Sequence, residues 1–448
     1  MKRPQGIIWM ACLSVFVAAC SPSAYMAKLA ERQVLGQPSF KTAHTGISIY
    51  DVATGRYLYN YQGEKYFVPA SNTKIFTLYA GLKYVKDSLA AIRFEETPDT
   101  LFIYPTADPT LLHPDFEEQP LIKKLQNTSK KVVAVNDQWQ EQALGPGWSW
   151  NDYSETYMVE RSSMPVYGNV IKWIQSSQKT TQPELEDSMQ TFIFSEPEVN
   201  WKVKFREDRL NKTFRVNRRK EENYFEISQG EEILKEQSVP FITNGIVSAL
   251  ELLKDTVHKE IVILPSPRKP YSPLQTLRSQ SSDSLYKPMM HLSDNFFAEH
   301  VLLMASYEKL GIMSDSRMID TLLNSDLAAL PQRPRWVDGS GLSRYNLFTP
   351  QDFVWILNRI KEEFGMERVK AIFSHGGQGT LKNYYAADSA FIYAKTGTLS
   401  SHIALSGYLL TAKNKLLIFS VLVNNHQADA TAIRRAVEQF LLGIRKKY

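Results

Sequence analysis

Apolar positions along the chain change period several times, and the changes outline the architecture. Gly46-Ile47-Ser48-Ile49-Tyr50-Asp51 and Tyr57-Leu58-Tyr59-Asn60-Tyr61 alternate around Ala53-Thr54-Gly55, which predicts a hairpin. Ile75, Phe76, Leu78, Tyr79 and Leu82 then recur at helical spacing. From about residue 93 to 270 the runs are short and strand-like, broken by Pro, Gly and Asn. Trp201-Lys202-Val203-Lys204-Phe205 and Tyr224-Phe225-Glu226-Ile227 are typical, and a helix is expected at about 243–255. Helical spacing returns from Ser272 through Tyr307. The chain closes on strands led by Phe391 to Lys395, then 403–410 and 416–424 turning at Ala412-Lys413-Asn414. A last amphipathic helix runs from Asp429 to Ile444, with Asp429 as its N-cap. A hairpin near the start and strands at the end, bracketing a helical block, predict one antiparallel sheet built from both chain ends, with the middle third inserted.

The first residues stand apart from this pattern. Lys2 and Arg3 precede an apolar, small-residue stretch from Gly6 to Ala19 that is too short to span a membrane and fits a signal peptide. It ends in Val17-Ala18-Ala19-Cys20, similar to the lipobox of bacterial lipoproteins, with Cys20 as the lipidated first residue of the mature chain; a plain secretory signal is the alternative. Of the two cysteines, Cys12 leaves with the leader and Cys20 carries lipid, so a cysteine nucleophile and a Cys-ligated metal are both excluded. Loss of Lys2 and Arg3 takes the formal charge from +5 to +3. That mild basicity, without a Lys/Arg block among aromatics, gives no case for nucleic acid. An acylated Cys20 would hold the protein on a membrane surface facing an extracytoplasmic space.

Candidate chemistry begins at Ser71 and Lys74, three apart at the head of the first apolar helix, where positions i and i+3 share a face. A serine hydroxyl needs a neighbouring base, and an uncharged lysine can be one. The spacing alone proves little, because Ser176/Lys179, Ser266/Lys269, Ser284/Lys287 and Ser306/Lys309 share it. Two later motifs single out Ser71: Ser293-Asp294-Asn295 opening a helical run, and Lys395-Thr396-Gly397 on a strand.

This ordered triple resembles the active site of penicillin-binding proteins and serine β-lactamases. Asp108-Pro109-Thr110-Leu111, Gly145 to Asp152, Asp338-Gly339-Ser340-Gly341-Leu342-Ser343 and Lys395 to Leu399 narrow the resemblance to the D-alanyl-D-alanine carboxypeptidase/endopeptidase family, the large-insertion class of low-molecular-mass penicillin-binding proteins. It runs from about Gly46 to the C-terminus and is poor from about Thr180 to Ser238. Met164 to Asn169 and Gly376 to Thr380 are variant. The resemblance implies an α+β (α/β sandwich) transpeptidase fold, an antiparallel sheet flanked by helices with a large β-rich insertion. The expected division is a signal peptide at 1–19, a lipidated tether and lead-in at 20–45, and a catalytic domain from 46–92 plus 271–448. The insertion at 93–270 would form two small domains, about 93–182 with 239–270, and about 183–238.

By the same resemblance Ser71 attacks the carbonyl between two D-alanines of a peptidoglycan stem peptide, and β-lactams acylate it. Lys74 must be neutral to take the proton, and Lys395 is expected to be the cation that keeps it so. Ser293 would relay a proton from Lys74 to the leaving nitrogen, and Asn295 would fix the Lys74 amine. The Ser71 and Thr398 N–H groups would form the oxyanion hole. Lys395, Thr396 and Thr398 would hold the terminal carboxylate, and Gly397 would leave room for substrate along the strand edge. Asp152 and Tyr157 are candidates for contacting an amine on the stem peptide. Asp338 to Ser343 reads as a structural turn, given its two glycines.

No cofactor or metal is implied. The eight histidines show no His-x-x-x-His or His-Glu-x-x-His spacing, and no Gly-x-Ser-x-Gly elbow exists. Carboxypeptidase and endopeptidase action stay open, since both use one acyl-enzyme. So do a β-lactamase and a non-catalytic, lipid-anchored wall-binding protein of the same fold.

Overall fold

A computed structural model describes residues 22–179, 189–206 and 212–448. The expected leader and Cys20 lie outside them. No helix among the described residues is long and apolar enough to cross a membrane.

Six strands form the central antiparallel sheet, labelled within it in chain order: β1 (His44–Asp51), β2 (Arg56–Tyr61), β3 (Ser374–His375), β4 (Ile392–Leu399), β5 (His402–Leu410) and β6 (Leu416–Asn424). Their spatial order is β3-β4-β5-β6-β1-β2, so the hairpin of the N-terminal part extends the C-terminal meander through β1 against β6. Both faces of the sheet are covered, which is why β5 and β6 read as nearly continuous apolar runs. One face, with Ala404, Tyr408, Ile418 and Leu422, packs on α1 (Lys74–Tyr84), α2 (Asn295–Leu310) and α3 (Pro350–Phe364). The other, with Ile403, Leu405, Phe419 and Val421, packs on α4 (Ala430–Lys447) and on the short helix Pro22–Ala30. Asp429 does cap α4, accepting a hydrogen bond from the Ala432 N–H. Burying both faces fixes the register of β4, and with it the direction in which each of its side chains points.

Among the described residues the middle of the chain carries three further sheets. A five-stranded one has the order 261–263, 131–134, 100–105, 88–96, 275–281, and two three-stranded ones involve 170–179, 189–196 and 234–240, and 202–206, 215–218 and 224–228. Together they bury a second apolar core around Trp173, Phe214, Phe225 and Phe241. Residues 275–281 are a strand, where helical spacing was expected from Ser272. Gln-Thr-Leu-Arg-Ser-Gln-Ser holds one apolar residue, and the segment is held through its antiparallel pairing with Ser88–Glu96 rather than by a buried face.

Candidate active site

Ser71 does not stand on the α-helix itself. It lies in a 3-10 turn, Ala70–Thr73, and α1 begins at Lys74. Ala70, just before it, has φ +49°, a conformation uncommon for a residue with a side chain and one that concentrates at functional sites. Ser293 is held likewise at φ +63° directly before the N-cap of α2, where Asp294 accepts from the Phe297 N–H. On the third side β4 runs past. Its partner β3 pairs only with Tyr393 and Ala394, so the outer edge from Lys395 onward has no strand partner among the described residues.

Lys74 is completely buried and its Nζ has three neighbours. They are Ser71 Oγ at 3.0 Å, Asn295 Oδ1 at 2.6 Å and the Ser340 carbonyl at 2.7 Å. The Asn295 orientation is fixed by its amide, which donates to the Tyr157 carbonyl at 2.8 Å, so the oxygen must face Lys74. Two of the three neighbours can therefore only accept. A neutral amine has two N–H groups and one lone pair; with both N–H groups given to the Ser340 and Asn295 oxygens, the lone pair is aimed at Ser71 Oγ. That arrangement can receive the proton of the serine hydroxyl.

The Ser340 carbonyl is positioned from below. Glu299 accepts the Ser340 N–H at 2.7 Å, and Arg161 binds Glu299, Asp315 and Glu141 in a buried ion cluster. Asp338, fully buried, accepts from the Gly341 and Ser343 N–H groups, the Asn346 amide and the Trp148 indole. The Asp338–Ser343 segment is thus a rigid turn whose backbone also touches the candidate base. Gly341 (φ +81°) permits this, because a Cβ there would meet the Ala70 carbonyl at 1.9 Å.

Lys395 Nζ donates to Ser293 Oγ at 2.8 Å and to the Thr396 carbonyl at 2.8 Å. Burial lowers Lys74 to about 8, although Asp294, Asp338 and Glu299 oppose the shift. Burial lowers Lys395 well below the ordinary lysine range, and the charge of Lys74 lowers it further. Burial, rather than a charge on Lys395, is what depresses Lys74, and the carboxylates around Lys74 oppose that shift.

Ser71, Asp152, Tyr157, Ser293, Asn295 and Thr398 all line one cleft of about 920 Å³. Tyr157 is raised to about 12, by burial first and then by its hydrogen bond to Asp152. Thr396 and Thr398 point to the α4 face of β4, Thr396 onto Thr380 Oγ1 at 2.7 Å. Gly397 points the opposite way. A Cβ there would lie 2.6 Å from the Pro69 carbonyl oxygen and 3.2 Å from Ala70 Cβ, so the absent side chain makes room for the Ser71 turn rather than for substrate. Residues that no motif flagged are Glu299, Arg344 (also on the cleft) and Arg434, which donates to Thr398 Oγ1, while Ser340 was read only as part of a structural turn. Of the other Ser-x-x-Lys serines, Ser284 and Ser306 give their hydroxyls to backbone carbonyls. Among the described residues, no group of three or more His, Cys, Asp or Glu is placed to hold a metal ion.

A model of the D-Ala-D-Ala carboxypeptidase 3 (S13) family matches residues 26–443. The D-alanyl-D-alanine carboxypeptidase of Actinomadura sp. (strain R39) is 24% identical over 97% of this chain and 90% of its own. The penicillin-sensitive carboxypeptidase A of Dictyostelium discoideum is 27% identical, over 25% of this chain and 23% of its own. Among solved structures, penicillin binding protein 4 from Haemophilus influenzae superposes with a TM-score of 0.69 at 17% identity, covering 93% of this chain and 97% of that one. The same protein in complex with a β-lactam gives 0.66 at 16% identity over the same shares. These two establish the fold: an antiparallel sheet between helical layers, carrying a β-rich insertion.

Proposed function

We propose, for a chain that belongs to the D-Ala-D-Ala carboxypeptidase 3 (S13) family, that Ser71 is the nucleophile and Lys74 its base. The family makes the protein a serine peptidase; the assignment of its residues is our reading. The observation that carries it is the Lys74 amine, whose two obligate acceptors leave its lone pair for Ser71 Oγ.

The terminal carboxylate of an arriving peptide favours the charged form of Lys395, and that charge in turn favours a neutral Lys74. Ser71 Oγ then bonds to the carbonyl carbon between the two D-alanines while Lys74 Nζ takes its proton. When the C–N bond breaks, the Ser293 hydroxyl gives its proton to the leaving amine and recovers one from Lys395. Lys74 ends charged and Lys395 neutral, with one charge shared by the pair before and after. Water attacking the ester releases the shortened peptide and restores Ser71. The Ser71 and Thr398 N–H groups are our candidates for binding the developing oxyanion, usually the largest electrostatic contribution to acyl transfer. The edge of β4 left open beyond Ala394 suits a peptide added as a strand. Asp152 and Arg344 on the same cleft suit an amine and a carboxylate farther along the stem.

A substrate of this kind lies in the cell wall, and β-lactams, which imitate the D-Ala-D-Ala amide, acylate Ser71 in this account. Cys20 acylation would hold the enzyme on a membrane outside the cytoplasm. Cleavage of a cross-link with the same D-Ala carbonyl needs no different chemistry.

The test is D-alanine release from a diacetylated L-Lys-D-Ala-D-Ala peptide as a function of pH. The reaction needs one proton on the lysine pair, and the pair loses it as pH rises past the Lys74 value of about 8, so kcat/KM should fall about tenfold per pH unit above about 8. A rate that keeps climbing about tenfold per unit through that range would contradict the shared proton.

A further inference from the structure

The α4 helix carries a guanidinium that the steps above leave unused. Thr396 and Thr398 pair in register with Leu405 and Ile403, and residues directly opposite in an antiparallel pair share a face. Leu405 and Ile403 belong to the core under α4, so both threonines face that helix, away from Lys74. There Arg434 Nη2 donates to Thr398 Oγ1 at 3.0 Å. Ala430, four residues earlier and therefore on the same helix face, lines the cleft, and Arg434 itself lines the adjoining pocket with Thr380 and Thr396, Ile403 bordering both. Arg434 pairs with no carboxylate among the described residues, whereas its neighbour Arg435 is bound to Glu438. An accepted N–H leaves the Thr398 hydroxyl its own hydrogen to donate outward.

We propose that Arg434 is a specificity-determining residue: it supplies the fixed positive charge for the carboxylate of the leaving residue and orients Thr398 toward it. The inference rests on the function proposed above. Lys395 shares one charge with Lys74 and gives up a proton during acylation, so it is a poor permanent counter-ion. A guanidinium stays charged throughout. The enzyme is then selective for a leaving residue with a free α-carboxylate, at the chain end or at the carboxylate-bearing centre of a cross-link, and discriminates against the carboxamide.

The experiment compares kcat/KM for diacetyl-L-Lys-D-Ala-D-Ala and its C-terminal carboxamide in the wild type, Arg434→Ala and Arg434→Lys. The wild type should prefer the acid. Arg434→Ala should lower the acid-to-amide ratio roughly 10- to 100-fold, the size of one lost charged hydrogen bond, with the loss confined to the acid. Arg434→Lys should recover part of it. The ratio within one variant cancels any loss of folded enzyme. An unchanged ratio in Arg434→Ala, or a wild type indifferent to the amide, would overturn this inference alone. A wild type that cleaves neither peptide would overturn the proposed function along with it.

Discussion

Replacing Lys74 with arginine should abolish acylation almost as completely as replacing it with methionine. In both variants the second-order rate of penicillin acylation should fall about 100- to 10,000-fold, the range spanned by loss of a positioned general base. Arginine retains the charge and can still donate to Asn295 Oδ1 and the Ser340 carbonyl, but it has no lone pair to offer a hydroxyl. Methionine offers neither charge nor base. The comparison therefore separates a base from an electrostatic anchor. If Lys74 served only as a buried cation, Lys74→Arg would stay within about tenfold of the wild type while Lys74→Met would not. Stopped-flow quenching of protein fluorescence by penicillin reads this directly.

The second large effect is expected at Gly397, from a single methyl group. A Cβ there would sit 2.6 Å from the Pro69 carbonyl oxygen and 3.0 Å from Ala404 Cβ, both fixed by backbone. Neither can yield cheaply, because Ala404 is the register partner of Gly397 in β5 and Pro69 leads into the Ser71 turn. Gly397→Ala should cost about 1–3 kcal/mol of stability, as overpacking does. The remaining folded enzyme should acylate about 100-fold more slowly, since a displacement near 1 Å at the nucleophile has that consequence. Thermal unfolding and the acylation rate per folded molecule, measured together, separate the two losses. A variant with lowered Tm but wild-type acylation would mean that β4 and the Ser71 turn can part without misplacing the nucleophile.

Much of the site was legible in the chain because its chemistry sits in side chains at short spacings. Ser71 and Lys74 share a turn, Ser293 and Asn295 straddle a helix cap, and Lys395 lies within a strand, so residue type and local period suffice to nominate them. The sheet from both chain ends was legible for a similar reason: two hairpin signals and an alternating meander leave few other pairings. Other parts were not. The Ser340 carbonyl is a backbone atom that any residue would supply, so only the glycine-rich turn around it could be read. Arg434 reaches Thr398 from α4, and nothing in either stretch announces the other. Which way Gly397 faces depends on the register of β4 against β5, and that register is set by packing on both sheet faces. The depression of Lys74 depends on how deeply it is packed and on where Asp294, Glu299 and Asp338 sit in three dimensions. The strand at 275–281 lacks alternation because pairing along one edge holds it.

The most direct test of the account is where a β-lactam attaches. Purified mature protein should be treated with a fluorescent penicillin, digested and read by mass spectrometry, beside Ser71→Ala and Ser176→Ala. One labelled peptide, modified at Ser71, is expected, unchanged in Ser176→Ala and absent from Ser71→Ala. Label that persists in Ser71→Ala, or that maps to another serine in the wild type, would contradict it.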